Sequence, residues 1–111
     1  SFLARSGEDR NVLIGCFNDP TAVGVLQAVR ASGREQDVAI VGQNATEESR
    51  AEIRNPQSQF IASIAYFPER YGGKLIRLAT SILNRDPVPP AVYTEHLVID
   101  HHNVEQFYRD R

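Results

Sequence analysis

Three short apolar runs constrain the fold of this chain more than any other feature of its sequence. They occupy residues 12–17, 38–42 and 60–67, and each is apolar nearly throughout instead of alternating with polar residues. A strand with one solvated face alternates, whereas a short continuous run is typical of a strand covered on both faces, as in a parallel sheet. The runs therefore predict three central, parallel strands.

Segments with helical periodicity separate the runs. After the first run, Asp19 can cap a helix that has Pro20 at its first position and ends at Gly33. Gly24 inside this helix would allow it to pack closely on the sheet. After the second run, Asn44 and Glu47 fit a capping box for a short second helix.

A third helix, a connector and a fourth strand follow. Tyr71, Leu75 and Leu78 line one face of a helix at residues 69–84, which predicts that Tyr71 is buried. A proline-rich connector leads to a strand at about 92–99 and a short last helix. Strands alternating with helices predict an α/β fold, with an open, mostly parallel sheet and flanking helices.

Composition and charge exclude several classes of protein. The net charge is −2 and the charges are interspersed, so no basic surface for nucleic acid is expected. The single cysteine, Cys16, lies in an apolar run and is expected to be a core residue. His101 and His102 are adjacent to each other, but no third metal ligand has a suitable spacing from them. No glycine-rich phosphate loop, Gly-x-Ser-x-Gly elbow or acid–base pair is present, so neither a cofactor nor catalysis is expected.

Polar and aromatic side chains follow the ends of the three predicted strands, where an open α/β sheet binds its ligands. A carboxamide can bridge neighbouring hydroxyls, and an aromatic ring offers a platform for the C–H face of a sugar ring. The candidate ligand-binding residues are Phe17, Asn18, Gln43, Asn44 and Tyr66. The alternative is that Asn18 and Asn44 are only turn and cap residues, which their residue type alone would justify.

Four segments of the chain follow one another in the order of a known family. Residues 16–26 (CFNDPTAVGVL) resemble a strand-Asn-Asp-x-x-Ala-x-Gly segment, and residues 38–46 (VAIVGQNAT) a strand followed by Gly-Phe-Asp-Gly-Thr. Residues 61–68 (IASIAYFP) and 82–89 (ILNRDPVP) resemble a strand-Gln-Pro segment and a Leu-x-Gly-x-x-Val-Pro connector. Together they resemble the C-terminal part of the type I periplasmic-binding-protein superfamily, which implies a Rossmann-like lobe of a two-lobed, non-catalytic binding protein.

The resemblance assigns roles to three of the candidate residues. Asn18 matches a sugar-contacting Asn of the family, whereas Asn44 stands where the family usually has a ligand-binding Asp, and Tyr66 where it usually has Gln. A neutral Asn accepts more weakly than a carboxylate and can also donate. The hydroxyl pattern that is recognised should therefore differ from that of a ribose binder.

The same resemblance implies a small sugar ligand, a membrane transporter permease as partner, and a periplasmic location. Residues 98–105 resemble the Thr-x-x-Asn-Val tail of transporter-linked members. The alternative is the effector-sensing domain of a lac-repressor-type regulator in the cytoplasm, with no nucleic-acid contact by this part of the chain.

The chain is expected to be a fragment of a longer protein. Residues 1–5 read as the tail of a helix that begins upstream, and residues 1–111 would form a single C-terminal lobe fragment. In the family the chain crosses between lobes, here near residues 66–68 and 90–93, so the helix at 69–84 would belong to the other lobe. Its apolar face would then lack a cover, and we expect the fragment to self-associate.

Overall fold

The computed structural model describes residues 10–109, and in this part of the chain strands alternate with helices as predicted. The helix tail expected at residues 1–5 lies outside the described residues. The elements are β1 (Val12–Gly15), α1 (Asp19–Ala31), β2 (Val38–Gln43), α2 (Glu47–Arg54), β3 (Phe60–Ala65), a 3-10 helix (Pro68–Arg70), α3 (Tyr71–Leu83), β4 (Leu97–Asp100) and α4 (Val104–Phe107).

The described residues divide into two compact units. The first contains the residues up to Ala65 and those from Val98 onward, and the second is Tyr66–Leu97. The sheet has the strand order β1-β2-β3-β4, in which β1 pairs with β2 and β2 with β3 in parallel. The mostly parallel α/β sheet predicted from the apolar runs is therefore confirmed.

The core of the first unit lies between α1 and one face of the sheet. The inward face of α1 and the strands β2 and β3 below it contribute side chains that are at most 7% exposed: Ala22, Leu26, Val29, Val38, Ile40 and Phe60. Burying each of the larger ones stabilises the fold by about 1.5–3 kcal/mol relative to exposure. This packing fixes the position of β2, whose carboxyl end carries part of the candidate site.

The opposite face of the sheet is not covered by a helix of the first unit among the described residues, so the prediction of strands covered on both faces is wrong for the described part of this unit. Leu13 and Val98 on that face are 67% and 53% exposed. A shallow apolar depression of about 200 Å³ lies between Val41 and Val98. The reason is topological: right-handed crossovers that always step in the same direction place successive helices on the same face.

An ion pair joins the two helices of this layer. Arg30 of α1 donates two hydrogen bonds to the carboxylate of Glu52 in α2, at 2.8 and 3.1 Å. These bonds, with a further one from the Ser58 hydroxyl, lower the pKa of Glu52. Because Arg30 is 41% exposed, screening limits the pair to about 0.5–1 kcal/mol. That contribution is present at neutral pH and is lost as the pH falls through the lowered pKa.

Gly24 does not have the packing role expected of it. A Cβ built at this position would meet nothing within 4 Å among the described residues, and Gly24 is exposed. The prediction that it allows close packing of α1 on the sheet is therefore wrong.

The second unit consists of the 3-10 helix, α3 and an irregular segment. All residues of α3 are partly or largely exposed, Leu75 at 62% and Leu83 at 83%, and Tyr71 is only half-buried. The prediction of a buried Tyr71 is wrong, because a single helix and a proline-rich segment have too little apolar surface to enclose it. Within the described residues no helix is both long and apolar enough to span a membrane.

The last strand is shorter than predicted. It covers Leu97–Asp100, whereas a strand at about 92–99 was expected. Residues 91–96 are exposed and form no regular structure. They follow the prolines at residues 87, 89 and 90, which fix φ and lack the N–H that a strand ladder requires.

Candidate functional site

The carboxyl ends of β1 and β2 form one edge of the sheet. The two strands are parallel with Gly15 beside Val41, and the Cys16 N–H donates to the Val41 carbonyl at 2.9 Å, one residue beyond β1. The chain then bends at Phe17, whose ring is 75% exposed. An aromatic ring left open at this edge has the surface that a ligand platform needs.

Asn18 caps α1, which corrects the prediction that Asp19 does so. Asn18 has extended backbone angles, and its Oδ1 accepts a hydrogen bond from the Thr21 N–H at 2.9 Å. That Asn18 is a cap residue is thus confirmed, whereas its role in ligand binding stays a prediction. A carboxamide offers two donors and two acceptor lone pairs, and the cap uses only one lone pair. Capping and ligand binding are therefore compatible at this residue.

Asn44 occupies a turn with unusual backbone angles. Its φ is 106° and that of Ala45 is 48°, a region that residues other than glycine rarely adopt. The Asn44 N–H donates to the Ile64 carbonyl at 2.8 Å, which extends the pairing of β2 with β3 by one residue. The side chain of Asn44 is exposed beyond the end of β2.

The capping box predicted for Asn44 and Glu47 is absent from α2. Thr46 has the extended backbone angles of an N-cap, and its hydroxyl accepts from the Ser49 N–H at 3.3 Å. Because Asn44 lies two residues before this cap with a positive φ, its carboxamide is not committed to starting the helix.

The N–H groups of the turn of residues 44–46 all donate to acceptors in neighbouring elements. Besides the bond from Asn44, the Ala45 N–H donates to Ser63 Oγ at 3.0 Å and the Thr46 N–H to Asp19 Oδ2 at 2.8 Å. Consecutive N–H groups in a turn can cradle an anion, but here all three are occupied. A ligand at this turn would therefore find the carboxamide of Asn44 available but none of the three backbone N–H groups.

A buried carboxyl group, that of Asp19, lies beneath the turn. Asp19 is fully buried, and it accepts hydrogen bonds from Ser63 Oγ at 2.7 Å, Ser49 Oγ at 2.6 Å and the Thr46 N–H. The two serines are buried as well. The only sequence signal for this cluster was the polar Ser63 within an otherwise apolar run.

The remaining candidate residues, Gln43 and Tyr66, fall in different units. Gln43 is the half-buried last residue of β2, in register with Ile64 of β3, at the same edge as Phe17. Tyr66 begins the second unit, where its ring centroid is 6.0 Å from that of His96. The cavity that Tyr66 lines there measures about 10 Å³, which is too small for a sugar.

The first unit thus brings Phe17, Asn18, Gln43 and Asn44 to one edge of its sheet, and the role of Tyr66 stays a prediction. The Cys16 thiol beside this edge has its pKa raised by burial, which disfavours the thiolate that a nucleophile requires. Among the described residues, no group of three His, Cys, Asp or Glu side chains could hold a metal ion. The edge offers neutral hydrogen-bonding groups and an aromatic ring.

Comparison with known proteins gives no match to a family model or to a curated relative, but it does give similar solved structures. An ABC transporter solute binding protein from Agrobacterium vitis with bound allitol superimposes with a TM-score of 0.85 at 23% identity, over 97% of this chain and 37% of that one. An ABC transporter periplasmic solute binding protein from Actinobacillus succinogenes 130z with bound D-allose gives 0.81 at 21% identity, over 96% and 36%. The Caulobacter myo-inositol binding protein bound to myo-inositol gives 0.78 at 25% identity, over 97% and 36%.

These comparisons identify the fold. The chain has the fold of a lobe of the type I periplasmic binding proteins, and the resemblance seen in its sequence is confirmed at that level. It spans little more than a third of the length of the proteins compared.

Proposed function

We propose that this chain is the C-terminal part of a two-lobed solute-binding protein that holds a small sugar or sugar-like polyol without catalysis. The observation that carries the proposal is the edge formed by Phe17, Asn18, Gln43 and Asn44, in a fold shared with proteins whose structures contain D-allose, allitol or myo-inositol. All four side chains are uncharged at neutral pH. A neutral, polyhydroxylated ligand suits carboxamides and an aromatic platform better than an anion does.

The second unit supports a division between two lobes. It begins at Tyr66 and ends at Leu97, close to the crossovers expected at residues 66–68 and 90–93. In the full-length protein α3 would belong to the other lobe, and Tyr66 would stand at a crossover beside the ligand. Closure of two lobes around the ligand would supply the contacts that one lobe lacks.

The solute-binding proteins of similar structure favour transport over the regulator alternative. We propose that the full-length protein works in the periplasm and passes its ligand to an ABC transporter permease. The raised pKa of Cys16 supports binding rather than nucleophilic chemistry.

We further propose that the isolated chain associates with a second copy of itself. Large apolar side chains of α3 are 55–83% exposed: Leu75, Ile76, Ile82 and Leu83. Exposed apolar surface of this kind drives association in water. Light scattering of the isolated chain should therefore give the mass of a dimer or a larger species. A monomer mass at high concentration would contradict the proposal.

Replacing Asn18 tests the binding proposal. Asn18→Ser keeps a hydroxyl that can cap α1 but removes the carboxamide, so folding should be retained while the affinity for the cognate polyol falls. The loss of a buried ligand hydrogen bond corresponds to about 1–3 kcal/mol. Isothermal titration calorimetry of the full-length protein with a panel of hexoses, hexitols and inositols measures the change.

Asn55→Ser is the matched control. The Asn55 Oδ1 accepts a local hydrogen bond from the Gln57 N–H at 3.0 Å, much as Asn18 does, but Asn55 lies at the far end of α2. This variant should bind with unchanged affinity. Equal affinities for Asn18→Ser and the unmodified protein would refute the assigned site.

A further inference from the structure

Two buried side chains hold the turn that presents Asn44, and neither belongs to the turn. Ser63 Oγ in β3 accepts from the Ala45 N–H at 3.0 Å and lies 2.7 Å from Asp19 Oδ1. Ser63 is 1% exposed and Asp19 is fully buried. The Ala45 N–H is thus connected to the first residue of α1 through a single hydroxyl group.

The direction of these hydrogen bonds fixes the role of each atom. A serine hydroxyl has one proton, and Ser63 donates it in a hydrogen bond to Asp19 Oδ1, so a lone pair of Ser63 Oγ faces the Ala45 N–H. The other carboxylate oxygen of Asp19 accepts from the Thr46 N–H at 2.8 Å. Asp19 therefore restrains the turn twice, directly at Thr46 and through Ser63 at Ala45.

The turn needs such restraint because its backbone is strained. A φ of 106° at Asn44 is unfavourable for a residue with a Cβ, and such angles persist only where the surroundings over-determine them. We propose that Asp19 and Ser63 are positioning residues, which lock the turn of residues 44–46 and thereby aim the Asn44 carboxamide at the ligand. The proposal rests on the ligand-binding role proposed above for this edge.

Ser49 provides a matched comparison within the same cluster. It is fully buried and its hydroxyl lies 2.6 Å from Asp19 Oδ2, but it belongs to α2 and accepts nothing from Ala45. Ser49→Ala and Ser63→Ala each remove one buried hydroxyl bonded to Asp19. Only Ser63→Ala removes the acceptor of the Ala45 N–H.

Amide hydrogen exchange of the full-length protein without ligand tests the positioning. In Ser63→Ala the exchange of the Ala45 amide should accelerate about tenfold or more relative to its change in Ser49→Ala. Ser63→Cys keeps the side-chain size but replaces the hydroxyl by a poor acceptor, so it should also accelerate the exchange of the Ala45 amide. This variant provides the test if Ser63→Ala does not fold. Equal protection of the Ala45 amide in the unmodified protein and in Ser63→Ala would overturn the proposal.

A double-mutant cycle measured by calorimetry tests whether the effect passes through Asn44. Ser63→Ala should weaken polyol binding about tenfold when Asn44 is present and less than about twofold when residue 44 is already alanine. Equal losses in both backgrounds would mean that Ser63 has a merely structural role and would overturn the proposal. If the unmodified protein binds no polyol, the proposed function fails by itself, and the exchange at Ala45 still decides whether Ser63 and Asp19 hold the turn.

Discussion

Gly42→Ala is expected to lower the free energy of unfolding by about 3 kcal/mol or more. A Cβ at Gly42 would lie 2.3 Å from Asp19 Oδ1, 2.9 Å from Phe60 Cζ and 3.3 Å from the Ala22 Cβ. None of these neighbours can yield easily, because each is completely or almost completely buried. Displacing the carboxylate would also break its hydrogen bonds with buried donors. Urea denaturation measures the loss.

Gly24→Ala is the control for this prediction. The added Cβ would meet nothing within 4 Å of the described residues, in the middle of the exposed side of α1. Alanine is favoured over glycine inside a helix by about 0.5–1 kcal/mol, so this variant should be more stable than the unmodified protein. If Gly42→Ala were tolerated as well as Gly24→Ala, the close contact of Asp19 with β2 would be wrong.

The alternation of strands and helices was predictable because it depends on local patterns. The apolar runs at residues 12–17, 38–42 and 60–67 became β1, β2 and β3, with helices between them. Parallel strands align their carboxyl ends, so the placement of Phe17, Asn18, Gln43 and Asn44 at one edge followed from the order of elements alone. The exposure of one face of the sheet was not predictable. The sequence of an apolar strand is the same whether or not the element that covers it lies among the described residues.

The roles of individual polar residues were less predictable, because tertiary contacts decide them. Asn18 and Asp19 are adjacent, and both are good helix caps by residue type. The choice between them is made by Ser63 and Ser49, which bond the Asp19 carboxylate from 44 and 30 residues away in the sequence. No pattern in one sequence reports such distant partners.

The strained turn illustrates the same limit. The sequence indicated a turn at Asn44, but the positive φ values of Asn44 and Ala45 arise from the bonds that residues 44–46 make with β3 and Asp19. Asn tolerates positive φ better than most residues. Ala45 stands at the position of the second glycine in the Gly-Phe-Asp-Gly-Thr segment that residues 42–46 resemble. That substitution is the sequence signal by which this backbone conformation could have been anticipated.

Asp19→Ala should have the second large effect, a loss of about 3–5 kcal/mol in the free energy of unfolding. The substitution removes the common acceptor of Ser49, Ser63 and the Thr46 N–H, all held at 2.6–2.8 Å, and leaves a cavity in their place. Ser49 retains an alternative acceptor in the Thr46 carbonyl at 2.9 Å, which limits the loss. Asp19→Asn keeps the shape but turns an NH₂ group towards one of the donors, so its loss should be smaller than that of the alanine variant.

Combining Asp19→Ala with Gly42→Ala isolates the contact between the two positions. The alanine at residue 19 lacks the oxygen that would lie 2.3 Å from the new Cβ, so the main clash of Gly42→Ala disappears and the contact with Phe60 at 2.9 Å remains. The double variant should therefore be less destabilised than the sum of the single variants, by at least about 1 kcal/mol. Strictly additive losses in urea denaturation would show that the carboxylate of Asp19 is not what excludes a side chain at residue 42.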